Sequence, residues 1–303
     1  MEFERILEEA KKRKDSVIAV AAAEDETVLK AVCKAQETGI VKAVLCGRKQ
    51  ELGSIAEKAN LDISGCEIIN TEDSLDAAKA AVKLVHDGYA GMLMKGLVQT
   101  ADLLRAVLDR EGGLRTDNKD MLLSHVSVIE SPILKRVLLL TDGAMVPAPG
   151  LKEKVSITEN AVIAAKGLGI KGPKVAPLAA VEVVNPNMQA TLDAAALTVM
   201  NQRGQISGCV IDGPLAMDLA ISEDAVRHKK IDSPVAGKAD ILLFHNIEAA
   251  NSVVKTFTNA GDSVFAGVIM GASAPVVLTS RSDSDQSKLY SIACAVLISD
   301  NKN

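Results

Sequence analysis

Short, unbroken apolar runs alternate with longer amphipathic segments along almost the whole chain. VIAVAA (17–22), AVLC (43–46) and MLM (92–94) show no polar alternation. Such runs suit strands buried on both faces, while the segments between them carry helical spacing. Strand followed by helix, repeated, makes parallel βαβ units, so the class is α/β. The pattern predicts strands at 17–22, 41–46, 66–70 and 90–94, and helices at 25–38, 49–60, 74–87 and 100–109, the last with Thr100 as cap. Residues 121–129 and 136–140 form long apolar runs, and two prolines and two glycines mark 141–155 as irregular. The rhythm then resumes with helices at 158–168, 187–201, 248–258 and 285–299, and strands at 174–180, 208–211, 240–244 and 263–270. A domain change is expected near residues 130–150. The predicted organisation is a first α/β domain from 1–134 plus 271–303, and a second from 135–270.

Composition removes several classes of function. With 303 residues the chain can bury most of its unfolded surface without a disulfide or structural metal. The net charge is −5, and there are four Phe, two Tyr and no Trp. That leaves neither a basic field nor stacking platforms for nucleic acid. The five cysteines, at 33, 46, 66, 209 and 294, are too dispersed for a disulfide framework or a zinc site. No apolar run approaches the roughly 18–20 residues of a membrane span. The charged start MEFERILEEAKKRKD is unlike a signal peptide. A soluble cytoplasmic protein with no membrane partner is expected.

Two motifs are set aside. GLGIKG (167–172) matches G-x-G-x-x-G, but it follows a helix and precedes a strand. A dinucleotide fingerprint needs the reverse order, so these glycines read as a helix C-cap. Lys11–Lys14 ends a helix whose first half is acidic, the charge order that the helix dipole favours.

Two segments carry chemistry. MKGLVQT (94–100) joins a buried strand to a helix at the carboxyl edge of the sheet, where α/β proteins bind ligands. Gly96 would let backbone approach a ligand, and Lys95 and Arg105 would add charge; an ordinary βα turn explains the motif equally well. PVVLTSRSDSD (275–285) ends a strand in hydroxyls and an arginine before a helix. Arginine's fork and a helix N-terminus suit phosphate, although Asp283 and Asp285, acting as caps, would weaken that pull. No metal-ligand pattern is present. Among the four histidines, His125, between Ser124 and Ser127, alone invites a chemical reading, and a hydrogen-bonded core histidine accounts for it better.

MKGLVQTADLLRAVL (94–108), DGPLAMDLAIS (212–222), SPVAGKADILLFHNIEAANSVVKTF (233–257) and GVIMGASAPVVLTSRSDS (267–284) together resemble the phosphate acetyltransferase/phosphate butyryltransferase family. SHVSVIESP (124–132), TDGAMVPAP (141–149) and SRSDSDQSKLYSIA (280–293) are more similar to its butyryltransferase branch. The resemblance implies a two-domain fold like that of isocitrate and isopropylmalate dehydrogenases, an interdomain cleft, and a homodimer formed on the second-domain side. It implies reversible acyl transfer between coenzyme A and inorganic phosphate in a ternary complex, in butanoate fermentation. The thioester is the substrate, and no bound cofactor or metal is expected. By the same resemblance Ser280 and Arg281 are catalytic, Arg281 holding the phosphate. Ser280 and N–H groups near Gly271 stabilise the oxyanion, and Thr279 and Ser127 are further phosphate contacts. Lys95, Gly96 and Thr100 line the cleft, and Arg105 reaches coenzyme A phosphates. Ser287 stands where acetyltransferase members carry an aspartate considered the base. Asp283, Asp285, His125 and Asp142 are therefore the candidates, unless neighbouring positive charge lowers the thiol pKa enough. Phosphate acetyltransferase is the nearest alternative. An NAD-dependent dehydrogenase of the same fold would need metal-binding aspartates, and a non-catalytic module would bind coenzyme A or phosphate without turnover.

Overall fold

A computed structural model describes residues 2–117, 121–280 and 283–299. The chain divides into two compact units, Phe3–Met121 with Ala266 onward, and Leu122–Phe265. The first opens with α1 (Glu2–Lys11), which buries Phe3, Ile6 and Ala10. Lys11 and Lys12 pair with Glu8 and Glu9 one turn back, so the basic run is a solvated helix end. There follow β1 (Val17–Ala21), α2 (Glu26–Glu37), β2 (Lys42–Gly47), α3 (Lys49–Lys58), β3 (Glu67–Asn70), α4 (Ser74–His86), β4 (Met92–Lys95) and α5 (Thr100–Val107). Asp25 and Asp73 cap α2 and α4 by accepting backbone N–H bonds. The expected cap on α5 is corrected: Gln99 holds that position with no side-chain bond, and Thr100 is the first helical residue.

The second unit begins with β5 (Ser124–Ser131) and β6 (Arg136–Thr141), an antiparallel hairpin in which Ser127 faces Leu140 and Ser131 faces Arg136. Next come α6 (Leu151–Gly167), β7 (Lys174–Pro177), α7 (Gln189–Gln202), β8 (Val210–Ile211), α8 (Met217–Ile221), α9 (Glu223–Lys229), β9 (Ile241–Leu243) and α10 (Ile247–Ala260). The strands run β5-β6-β9-β7-β8, parallel except within the hairpin. Ile129, Leu138, Leu140, Leu219, Val235 and Leu242 form its core. The irregular stretch expected to Val155 is shorter than its composition suggested. Helix α6 begins at Leu151, where Glu153 accepts the N–H of Gly150 at 2.8 Å and closes the first turn.

The chain then returns through β10 (Val264–Met270), β11 (Val276–Val277) and α11 (Asp285–Ser299). The first unit's strands run β3-β2-β1-β4-β11-β10, parallel except that β10 opposes β11. Helix α11 packs on α2, β11 and β4 and buries Tyr290, Ile292, Val296 and Ile298. The units keep the expected order, but the first division comes earlier than 134. Because β5 pairs with β6 from Ser127 to Ser131, the whole hairpin belongs to the second unit. Among the described residues no helix is long and apolar enough to cross a membrane. All five cysteines are free thiols. GLGIKG spans the end of α6 and precedes β7, with Gly169 and Gly172 at positive φ, as a helix stop requires.

Candidate active site

Strands β4 and β11 lie side by side and parallel, Met94 against Val277, so their carboxyl ends open on one edge of the first unit's sheet. Lys95 and Gly96 leave that edge from β4, and Thr279 and Ser280 from β11. Lys95 is 8% exposed, its Nζ donating to the Gly96 carbonyl at 3.1 Å. The Gly96 N–H bonds the Ala21 carbonyl at 2.8 Å, which ties the edge to the end of β1. Thr279 is buried, whereas Ser280 is exposed. The structure thus gathers Lys95, Gly96, Thr279 and Ser280, and Thr100 is exposed at the start of α5. Arg281 lies outside the described residues.

Ser280 and Asp283 bond each other twice. Its N–H donates to Asp283 Oδ2 at 2.7 Å, and the Asp283 N–H returns to the Ser280 carbonyl at 3.1 Å. The cap expected from Asp283 or Asp285 is supplied instead by Ser284, whose Oγ accepts the Ser287 N–H at 3.1 Å. Asp283 folds back on Ser280, and Asp285 borders a cavity of about 360 Å3 between α2 and α11 that Lys30 and Gln286 also line. Sequence reasoning missed Lys288. It is 2% exposed and donates to the Asp283 carbonyl at 2.6 Å and the Ser280 carbonyl at 3.3 Å. Burial lowers its pKa against the raising pull of Asp283, Asp25 and Asp285. No signal for it stood in the sequence, because the surrounding SDSDQSK (282–288) reads as an exposed helix start.

Two expected contacts lie elsewhere. Gly271 follows β10 and precedes β11, which runs antiparallel to it. The hairpin therefore leaves Gly271 at the amino end of β11, across the sheet from Ser280, and its N–H groups cannot share that edge. Arg105 is 74% exposed, pairs with Asp102 at 2.7 Å and lines a cavity of about 800 Å3 beside α4, with Lys79, Lys83 and His86. That cavity is not lined by Lys95, Gly96 or Ser280.

Three candidates belong to the second unit. Ser127 is 1% exposed on β5, its Oγ 3.3 Å from His125 Nδ1. The His125 ring stacks on Phe265, with centroids 6.5 Å apart. Asp142, at the end of β6, accepts N–H bonds from Ala144, Met145 and Val146 at 2.9–3.0 Å. Burial raises its pKa despite those bonds and a further one from the His125 backbone. With both oxygens engaged by backbone, this carboxylate organises the loop that leads into α6. A second buried cluster also escaped sequence reading. Lys154 of α6 meets Asp193 of α7 at 2.5 Å and His245 Nδ1 at 2.9 Å. Among the described residues no group of three or more His, Cys, Asp or Glu side chains could hold a metal.

Comparison with known proteins places this geometry. The family described as phosphate acetyl/butaryl transferase matches residues 1–80 and 74–296. The phosphate butyryltransferase of Clostridium acetobutylicum is 50% identical over 300 residues, covering 99% of each chain. A branched-chain phosphotransacylase from Enterococcus faecalis superposes with a TM-score of 0.82 at 33% identity, over 94% of this chain and 99% of that one. The 4-hydroxythreonine-4-phosphate dehydrogenase of Klebsiella pneumoniae shares the fold alone, with a TM-score of 0.59 at 12% identity, over 94% of this chain and all of that one. The architecture is therefore the dehydrogenase-like one expected from the sequence, used here by an acyltransferase. The chain belongs to the phosphate acetyl/butaryl transferase family.

Proposed function

We propose that the protein is a phosphate butyryltransferase, catalysing butyryl-CoA + phosphate ⇌ butyryl phosphate + CoA. The observation that carries this reading is the 50% identity with the Clostridium acetobutylicum phosphate butyryltransferase across 99% of both chains. A phosphate oxygen attacks the thioester carbonyl carbon, the C–S bond breaks as the tetrahedral intermediate collapses, and the phosphate's proton ends on the departing thiol. The thioester carries its own activation, so the reading needs no resident cofactor. Holding both substrates makes the attack effectively intramolecular, an effect worth up to about 7–11 kcal/mol. Ser280, exposed beside Lys95 and Gly96 at the carboxyl edge of β11 and β4, is the donor for the oxyanion, and Arg281 is the phosphate ligand. Family resemblance adds a homodimer in the cytoplasm, serving butanoate fermentation.

Acyl preference rests on pocket size. Each methylene is worth about 0.8 kcal/mol, so acetyl, propionyl and butyryl thioesters are all substrates at rates graded by chain length. The Enterococcus faecalis structure, named for branched chains, makes isobutyryl-CoA an informative fourth substrate. The test is thiol release from these four thioesters with and without phosphate. Phosphate-dependent release fastest with butyryl-CoA is expected, and Arg281→Ala should lower kcat/KM for phosphate about 100-fold or more. Acetyl-CoA as best substrate would move the reading to phosphate acetyltransferase. Absence of phosphate-dependent release with all four would refute acyl transfer to phosphate.

A further inference from the structure

Lys288 stands where a helix disfavours a cation. It lies in the first turns of α11, at the positive end of the helix dipole, and is almost wholly removed from water. A chain places a lysine there only if its ammonium is bonded by what surrounds it. Two carbonyl oxygens do so, those of Asp283 at 2.6 Å and Ser280 at 3.3 Å, and both belong to the turn between β11 and α11. The Ser280 carbonyl thus accepts from both Lys288 and the Asp283 N–H, while the Ser280 N–H is held by the Asp283 carboxylate. Asp25, the N-cap of α2, adds its charge from the neighbouring helix. A neutral side chain of similar length could not tie several acceptors, because only the ammonium offers three N–H donors on one atom.

We propose that Lys288 is a positioning residue, whose ammonium ties the Ser280 and Asp283 carbonyls to α11 beside the capped end of α2 and so holds Ser280 in place at this edge for phosphate. This rests on the reading of the turn as the phosphate end of an acyltransferase site. The charged groups around Lys288 are Asp25 from α2, and Asp283 and Asp285 from the turn and α11. Lys30 of α2 in turn faces Asp285. Lys288 is the group of this cluster whose titration bears on the clamp. Burial lowers its pKa, so the clamp weakens as pH rises and is lost before the ordinary lysine range is reached.

The test compares wild type, Lys288→Met and Lys288→Arg by steady-state kinetics and by amide hydrogen exchange of the turn. Lys288→Met should raise KM for phosphate about tenfold or more while changing KM for butyryl-CoA less than about twofold, and Lys288→Arg should recover part of the loss. Exchange at the Ser280 and Asp283 amides should quicken at least about tenfold in Lys288→Met. Wild-type KM for phosphate should rise on the alkaline side, and the variant should lack that limb. A folded Lys288→Met protein with wild-type KM for phosphate overturns the proposal, as does unchanged exchange at the turn. If that variant does not fold, a wild-type KM for phosphate flat up to the ordinary lysine range overturns it equally. Should the wild type transfer no acyl group to phosphate, the functional reading fails, while exchange still reports whether the clamp exists.

Discussion

A β-carbon on Gly96 would lie 2.1 Å from the Ala22 carbonyl oxygen and 2.8 Å from that of Ala21. Both are backbone atoms at the end of β1 and the residue just after it, so the crowding cannot be relieved by rotating a side chain. Gly96→Ala should cost at least about 2 kcal/mol, measured as a lowered urea midpoint at unchanged slope, and should lower acyl transfer by displacing the Lys95–Gly96 exit. The sequence singled out Gly96 as a place where backbone approaches something, and that part was legible. The approaching group is the chain's own backbone where β1 ends, at Ala21 and Ala22. Lys288 was not legible, because a lone lysine in a run of serines and aspartates looks like an exposed helix start. Nothing in the local pattern shows that α2 covers it. The place of Ser280 beyond the carboxyl end of a strand and before a helix was legible, whereas that of Gly271 at the other end of β11 was not, since one sequence cannot show that β10 opposes β11.

Helices α6 and α7 meet through charge as well as apolar packing. Lys154, Asp193 and His245 join them to the loop after β9, and Gln189 donates to Asp193 at 2.8 Å. Burial and the Lys154 ammonium lower the His245 pKa, and Asp193 only partly offsets them. A folded pKa below the unfolded one means that unfolding takes up a proton. The contribution is therefore fully present above about pH 6.5 and is lost as pH falls through the folded value. Urea midpoints should be flat from pH 8 to 7 and decline below about 6.5, and His245→Gln should show a shallower decline. The partly exposed ring keeps the effect modest. Element types were largely legible because buried parallel strands and amphipathic helices write different periods. The start of α6 was hidden by the prolines and glycines just before it, which marked a loop but not where it ends.

The first unit is assembled from two segments that flank the second. Strand β11 is inserted between β4 and β10, and α11 covers α2. A chain stopped after Met270 lacks both. It should lose the first unit, and limited trypsin digestion followed by mass spectrometry should leave only fragments from within 122–265. A resistant fragment spanning the first five helices would show that the returning segment is dispensable. Alternating strands and helices made the α/β class legible at this scale. The division between units was less so, because an antiparallel hairpin and a parallel strand pair look alike until their register is known. The same arrangement bears on how the protein is made. As the chain emerges from the ribosome, β1–β4 and their helices appear first but have no α11 to cover them. The continuous second unit can be complete while they wait. The first-made strands are thus among the last to be finished, and a stalled chain lacks both the strand that brings Ser280 beside Lys95 and the helix that carries Lys288.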